Sequence, residues 1–245
     1  MDASPLTSTD AYLELSASLD SLWVGLTAVI IFAMQLGFTV YEVGTISRNS
    51  DPFKILLKNV TDSSVSLVAW SVCGYGIAKG DGSTQGRLRD LDHGLMCVRS
   101  TAGIPAAEPG EVPPLLEFFF GWAFASSAVT IVSGSVAERV PFPLYLILSS
   151  LTAALVYPFV AWSIWSNHGW LSLRKGGDYG LGCGVLDFAG SGAVHMLGGL
   201  SSLFWAAILG PRVNRFLGGK VNFEDYGDRS ESQKTLGMLL LWFGW

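Results

Sequence analysis

Charge is scarce in this sequence. Only 14% of its 245 residues are Asp, Glu, Lys or Arg, against 50% hydrophobic, and the mean hydropathy is +0.42. Soluble domains carry about 25% charged residues, so a compact water-soluble fold is the weaker expectation. The fifteen Lys and Arg are scattered and the net charge is −5, which leaves no basic footprint for nucleic acid. The three cysteines, Cys73, Cys97 and Cys183, form no CxxC pair and stand too far apart for a zinc ligand set, so no metal is expected. The first 20 residues contain neither Lys nor Arg, which argues against a secretory signal peptide with a basic n-region. No short-period repeat or low-complexity tract is visible.

What the sequence does have is long apolar runs. Crossing a hydrocarbon core of about 30 Å takes about 20 helical residues. Five runs of that length lie at roughly 22–43, 60–79, 114–136, 141–165 and 186–209. A sixth opens near Leu236 in LGMLLLWFGW and reaches Trp245 after about half the required length. The expectation is an all-α, polytopic membrane bundle, with an N-terminal tail over 1–21 and one membrane domain over 22–245.

Lys and Arg collect on the cytoplasmic side of membrane proteins. With the N-terminus outside, the inner segments carry nine of them (Arg48, Lys54, Lys58, Arg139, Arg212, Arg215, Lys220, Arg229 and Lys234) and the outer segments six (Lys79, Arg87, Arg89, Arg99, Arg174 and Lys175). The tail, with four acids and no base, adds to that bias, so an extracellular N-terminus is expected. The longest connection, 80–113, is rich in Gly, Pro and charge and reads as irregular. This order puts Cys97 and Cys183 together outside, where a disulfide and two free thiols are both open readings. Asn59-Val60-Thr61 matches a glycosylation sequon but lies at an inner membrane boundary, so it reads as chance.

Ionisable groups inside a span are costly and are functional candidates by default. Glu42, Asp187 and His195 stand out. Glu42 lies at the inner end of the first run near Arg48, where a carboxylate reaching the interface or an Arg is structural. Asp187 opens the fifth run, where it can accept hydrogen bonds from the free N–H groups of a first helical turn; at an outer pore mouth it would also lower the cost of bringing a cation near. His195, eight residues on, lies about 12 Å deeper, where an imidazole suggests a path for protons or a small polar solute. No nucleophile, base and orienter accompany it, so enzyme activity is the weakest reading and no cofactor is expected.

Trp165 ends the fourth run at the outer surface. An interfacial belt is its ordinary reading and a cation–π site the sharper one. Phe118, Phe119, Phe120 and Phe124 enter the third run from outside, most simply as packing or lipid contacts. Small residues of the third and fifth runs, such as Gly121, Ser126, Ser133, Gly190 and Gly198, imply close helix packing.

Several of these stretches resemble one family. FFFGWAFASSAVTIVSGSVAERVPF from Phe118 to Phe142 and LDFAGSGAVHMLGG from Leu186 to Gly199 are similar to signature regions of the ammonium transporter/Rhesus family. MQLGFTVYEVG, VYPFVAWSIWSNHGW and GPRVNRF add to the likeness, which runs from about Leu22 to Trp245 and is nearer the ammonium transporter branch than the Rhesus glycoproteins. The resemblance implies an eleven-span fold of two inverted five-helix repeats, of which this chain supplies the first and a truncated sixth span. It implies that Trp165 recruits ammonium by cation–π contact, that Phe124, with Phe120 beside it, belongs to a phenyl gate, that Asp187 shapes the recruitment site, and that His195 lines a hydrophobic pore passing neutral ammonia. It also implies methylammonium as an analogue, membrane lipid as surroundings, a homotrimer and the cell membrane as location. Gly121 stands where the family commonly has Gln, and the stretch from Ser47 to Asp51 departs from the family's basic-Asn pattern and is one residue longer. Three readings follow: one repeat of an ammonium conductor, inactive by itself; an ammonium sensor on the same fold; and a non-conducting truncated subunit.

Overall fold

The computed structural model describes residues 8–79, 112–173, 183–226 and 230–245. Helix α1 (Ser8–Thr45) runs unbroken for 38 residues, starting well before residue 22. Helix α2 (Pro52–Ala69) begins on a proline, with the Asp51 side chain accepting from the Phe53 N–H at 3.0 Å. It continues through a π-turn (Trp70–Gly74) into α3 (Tyr75–Lys79). Helix α4 (Pro114–Val136) follows, then α5 (Phe142–Leu151), which passes through a second π-turn (Thr152–Val156) into α6 (Tyr157–Trp165). A third π-turn (Ser191–Met196) opens α7 (Leu197–Leu209). After it come a two-residue hairpin, β1 (Phe216–Leu217) paired antiparallel with β2 (Lys220–Val221), a short α8 (Phe223–Tyr226) and α9 (Glu231–Gly244). Prolines at the first turns of α2, α4 and α5 set these starts, since Pro fits where no N–H is needed, while Pro158 follows the second π-turn inside a continuous helical stretch.

Four of the described helices are long and apolar enough to cross a membrane: Ala11–Thr45, Pro114–Val136, Phe142–Trp165 and Ser191–Leu209. The stretch from α2 to α3, which contains the expected run 60–79, is long enough but polar, with Lys54, Lys58, Asn59 and Asp62 in its first turns. Its polarity is internal. Lys58, Asn59 and Asp62 are all buried, Asp62 completely.

They meet a matching set on α1 and α4. Lys58 Nζ forms an ion pair with Glu42 and donates to Ser133 Oγ at 2.7 Å. Asn59 Nδ2 and Ser133 Oγ both donate to the other Glu42 oxygen, at 3.0 and 2.9 Å. One turn further out, Thr130 Oγ1 donates to Gln35 Oε1 at 2.7 Å and Gln35 Nε2 to Ser126 Oγ at 3.0 Å. Two sequence expectations change here. The partner of Glu42 is Lys58 rather than Arg48, and the carboxylate is 4% exposed rather than reaching an interface. Lys58 is a helix-interior charge rather than a loop charge, because a buried carboxylate needs a cation more than a membrane surface does. The Asn59 of the sequon is likewise buried in this network.

At the end of the bundle where α1 and α4 stop, Glu138 accepts from the Ser47 N–H at 3.1 Å and pairs with Arg212 at 3.2 Å. Arg212 also donates to the carbonyls of Thr45 and Gly134, both at 3.0 Å, closing the ends of α1 and α4. Helix α9 lies along α1 at very short range: a Cβ on Gly237 would fall 2.5 Å from the Tyr41 backbone nitrogen, and one on Gly37 would fall 2.8 Å from that of Leu241. Paired glycines let two helix backbones touch in this way. Cys97 and the connection 80–111 lie outside the described residues, and Cys183 is exposed.

Replacing Lys58 by Met would leave Glu42 buried without its cation, a loss of about 3–5 kcal/mol. The double change Glu42→Gln with Lys58→Met should recover most of it. Thermal unfolding of the detergent-solubilised protein, followed by tryptophan fluorescence, checks this; equal midpoints for the single and double variants would contradict it.

Candidate functional site

Helices α3, α4 and α6 line a cavity of about 620 Å³. Its wall is aromatic because three helices present rings to the same space: Phe120, Phe124 and Gly121 from α4, Tyr157 and Trp165 from α6, and Trp70 and Tyr75 from the stretch between α2 and α3. Phe124 is buried, and its ring meets Trp165 at 5.5 Å and Phe120 at 5.0 Å, both edge to face. Phe120 and Phe124 are thus nearly perpendicular neighbours one turn apart. The stretch of four phenylalanines splits by direction: Phe118 packs on Trp70 and Tyr75, while Phe119 is 41% exposed.

Asp187 enters the cavity from the segment before the third π-turn. Gly190 adopts a left-handed φ of +79°, which turns the chain back so that Asp187 overhangs the start of the helix. Its Oδ1 accepts from Ser191 Oγ at 2.9 Å and from the Gly192 N–H at 3.1 Å, and its Oδ2 from the Ala193 N–H at 2.8 Å. The carboxylate therefore caps free donors at the positive end of the helix. At the cavity rim Lys79 and Glu117 pair at 2.7 Å, and an exposed pair of this kind contributes little net field. Among the described residues Asp187 pairs with no cationic side chain. A carboxylate without a cationic side-chain partner among the described residues, lining one cavity with the rings of Trp165, Phe124 and Phe120, is an arrangement that favours a small cation.

His195 does not line this cavity. It lies in the third π-turn, where its N–H and that of Val194 both reach the Gly190 carbonyl, at 3.0 and 2.9 Å. Its imidazole is half-buried and meets the Trp245 indole at 3.9 Å, nearly perpendicular. Phe124, which lines the cavity, packs in one buried cluster with the fully buried Val194, the residue before His195, and with Ala125 and Ala128. A second cavity, about 710 Å³, opens at the opposite end, lined by Asn49, Lys54, Glu138 and Tyr145 among others; it has no such aromatic wall.

Two groups of residues escaped the sequence reading. Asp62 falls inside the apolar run 60–79 and met the same criterion as Glu42, so it was findable. Trp70, Tyr75 and Tyr157 reach the cavity only because α2, α3 and α6 converge, and nothing in their local sequence marks them.

Comparisons with known proteins agree on one family. The sequence model of the Ammonium Transporter Family matches residues 22–245. The chain is 36% identical to ammonium transporter 1 member 3 of Solanum lycopersicum over 93% of its own length and 46% of that protein's. It is 33% identical to ammonium transporter Amt2 of Archaeoglobus fulgidus, over 92% and 46%. Among solved structures, one titled Sensor Amt Protein superposes with a TM-score of 0.76 at 30% identity, covering 94% of this chain and 54% of that one. A mutant of Candida albicans Mep2 gives 0.71 at 27%, covering 92% and 46%. The chain spans about half the length of the curated relatives it matches.

Substituting Asp187 by Ala removes the acceptor for Ser191, Gly192 and Ala193 and should cost about 1–2 kcal/mol, with Asp187→Asn milder because it keeps one carbonyl oxygen. Hydrogen exchange at the Gly192 and Ala193 amides should accelerate in the alanine variant. Unchanged exchange would mean the carboxylate is not the cap.

Proposed function

This chain belongs to the ammonium transporter family, and we propose that it forms the recruiting wall of an ammonium conduction path. The observation that carries the reading is the cavity in which the Asp187 carboxylate, without a cationic side-chain partner among the described residues, shares the lining with the rings of Trp165 and Phe124. Ammonium enters there because ring faces and a nearby negative charge replace part of its hydration. Phe124 packs in one buried apolar cluster with Val194, Ala125 and Ala128, and a bare cation in such surroundings would cost far more than the loss of a proton. The ion therefore releases its proton to cavity water, and neutral ammonia passes Phe124 towards His195, whose imidazole can exchange a hydrogen bond with it. Methylammonium, with the same ammonium head, follows the same route.

The half-length coverage and the apolar flank of α7, where Met196, Leu203, Phe204 and Ile208 are all more than half exposed, support a second element facing this one. In this reading that element is the inverted repeat of a transporter architecture, and the complete protein is a homotrimer in the cell membrane, with lipid around it and its N-terminus outside. A second reading, an ammonium sensor, is favoured by the likeness to the Sensor Amt Protein over 94% of the chain; a sensor would keep the Trp165–Asp187 cavity and need not conduct.

Growth on limiting ammonium and methylammonium uptake, in cells without their own ammonium transporters, separate the two. This chain extended through its native downstream sequence should restore both, the chain alone should not, and His195→Ala should alter uptake by the extended form. Trp165→Leu should raise the half-saturating concentration about tenfold. An extended chain that inserts in the membrane and moves neither solute would remove conduction and leave sensing.

A further inference from the structure

The outer cavity has a back wall that no family resemblance marked. Trp70 opens the first π-turn and is 2% exposed, yet its indole lines the cavity. Its Nε1 donates to the Phe118 carbonyl at 3.2 Å, and its ring packs at 5.9 Å from Tyr75 and 5.8 Å from Tyr157. Two glycines seat it. A Cβ at Gly121 would fall 2.6 Å from Trp70 Cζ2, and one at Gly74 would fall 2.8 Å from its Cε3. A real Cβ essentially never comes so close to another heavy atom, so the indole can press against α4 here only because residue 121 has no side chain.

From this contact we propose that Trp70, seated on Gly121, sets the width of the outer cavity and so discriminates small ammonium-type cations by size. The inference rests on the cavity being the recruitment site for ammonium. The indole is enclosed by α4, Tyr75, Phe118 and Tyr157, and the cavity is its open side. Removing the ring enlarges the cavity at its back. Adding a methyl group beneath the ring displaces it into the cavity and narrows it. The two substitutions therefore act in opposite directions on a ligand that differs from ammonium by one methyl group, whereas a purely structural role would lower both solutes together. Trp70 acts through the shape of the site, as a positioning residue.

The test is competition uptake of ammonium and methylammonium by the extended chain, with membrane insertion of every variant confirmed by size-exclusion chromatography. Trp70→Leu should raise the methylammonium-to-ammonium ratio, on the order of tenfold for one methyl group's worth of space. Gly121→Ala should lower it, and Gly121→Ala added to Trp70→Leu should have no further effect, since the two residues act through one contact. Trp70→Phe, which keeps a ring and loses the N–H bond to Phe118, should fall between the unaltered protein and Trp70→Leu and serves if the leucine variant does not fold. Equal scaling of both solutes in Trp70→Phe and Gly121→Ala overturns the inference while leaving ammonium transport standing. If the unaltered protein moves neither solute, the transport reading falls and this inference falls with it.

Discussion

Inside a bilayer there is no water to satisfy a polar group, so each one must find its partner within the protein. The ion pair between Glu42 and Lys58, with Asn59 and Ser133 completing the carboxylate's hydrogen bonds, is where that constraint is most demanding, and it fixes α1, α2 and α4 relative to one another. Hydrophobic attraction cannot do this work between helices surrounded by lipid tails as apolar as their own side chains. Close approach and polar contacts have to. The same logic recurs where α9 lies against α1 through Gly37 and Gly237, and where Arg212 ties the ends of α1 and α4.

The aromatic cavity lies at the other end of the bundle from the Glu138–Arg212 pair. The π-turns at Trp70–Gly74 and Thr152–Val156 pack against each other, so closely that a Cβ on Gly74 would fall 2.5 Å from the Ala153 carbonyl oxygen, and the cavity beside them is lined by rings. Asp187 has two tasks in one carboxylate. Its hydrogen bonds hold the start of the α7 segment, and its charge, left without a cationic side chain among the described residues, sets the sign of the cavity. Structural and functional readings of Asp187 therefore do not compete. A group fixed by three hydrogen bonds is also a group whose charge stays in one place, which is what an electrostatic site requires.

His195 illustrates a different coupling. Because its helix begins with a π-turn rather than an α-turn, both Val194 and His195 bond back to Gly190, and the turn is wider than in a regular helix. That brings Val194 to the Phe124 ring and His195 to Trp245. The apolar barrier and the imidazole are successive residues on one turn.

Hydropathy alone located most helices, because a span must be long and apolar whatever packs against it, and the family could be recognised from short ordered strings such as Asp187 through His195. Charge positions were less legible. Lys58 counted as a loop charge and Glu42 was paired with Arg48, since sequence distance suggested both, and Asp62 passed unmarked within an apolar run. Residue type and spacing thus determined that this is a helical membrane chain, with a carboxylate, a tryptophan and a histidine as its candidate site residues. Only the tertiary structure decided which charge neutralises Glu42, that Trp70 and Tyr157 share a cavity with Trp165, and that Gly121 is the seat of an indole. Those facts depend on distances between helices far apart in the chain, and no local pattern encodes a distance that only packing creates.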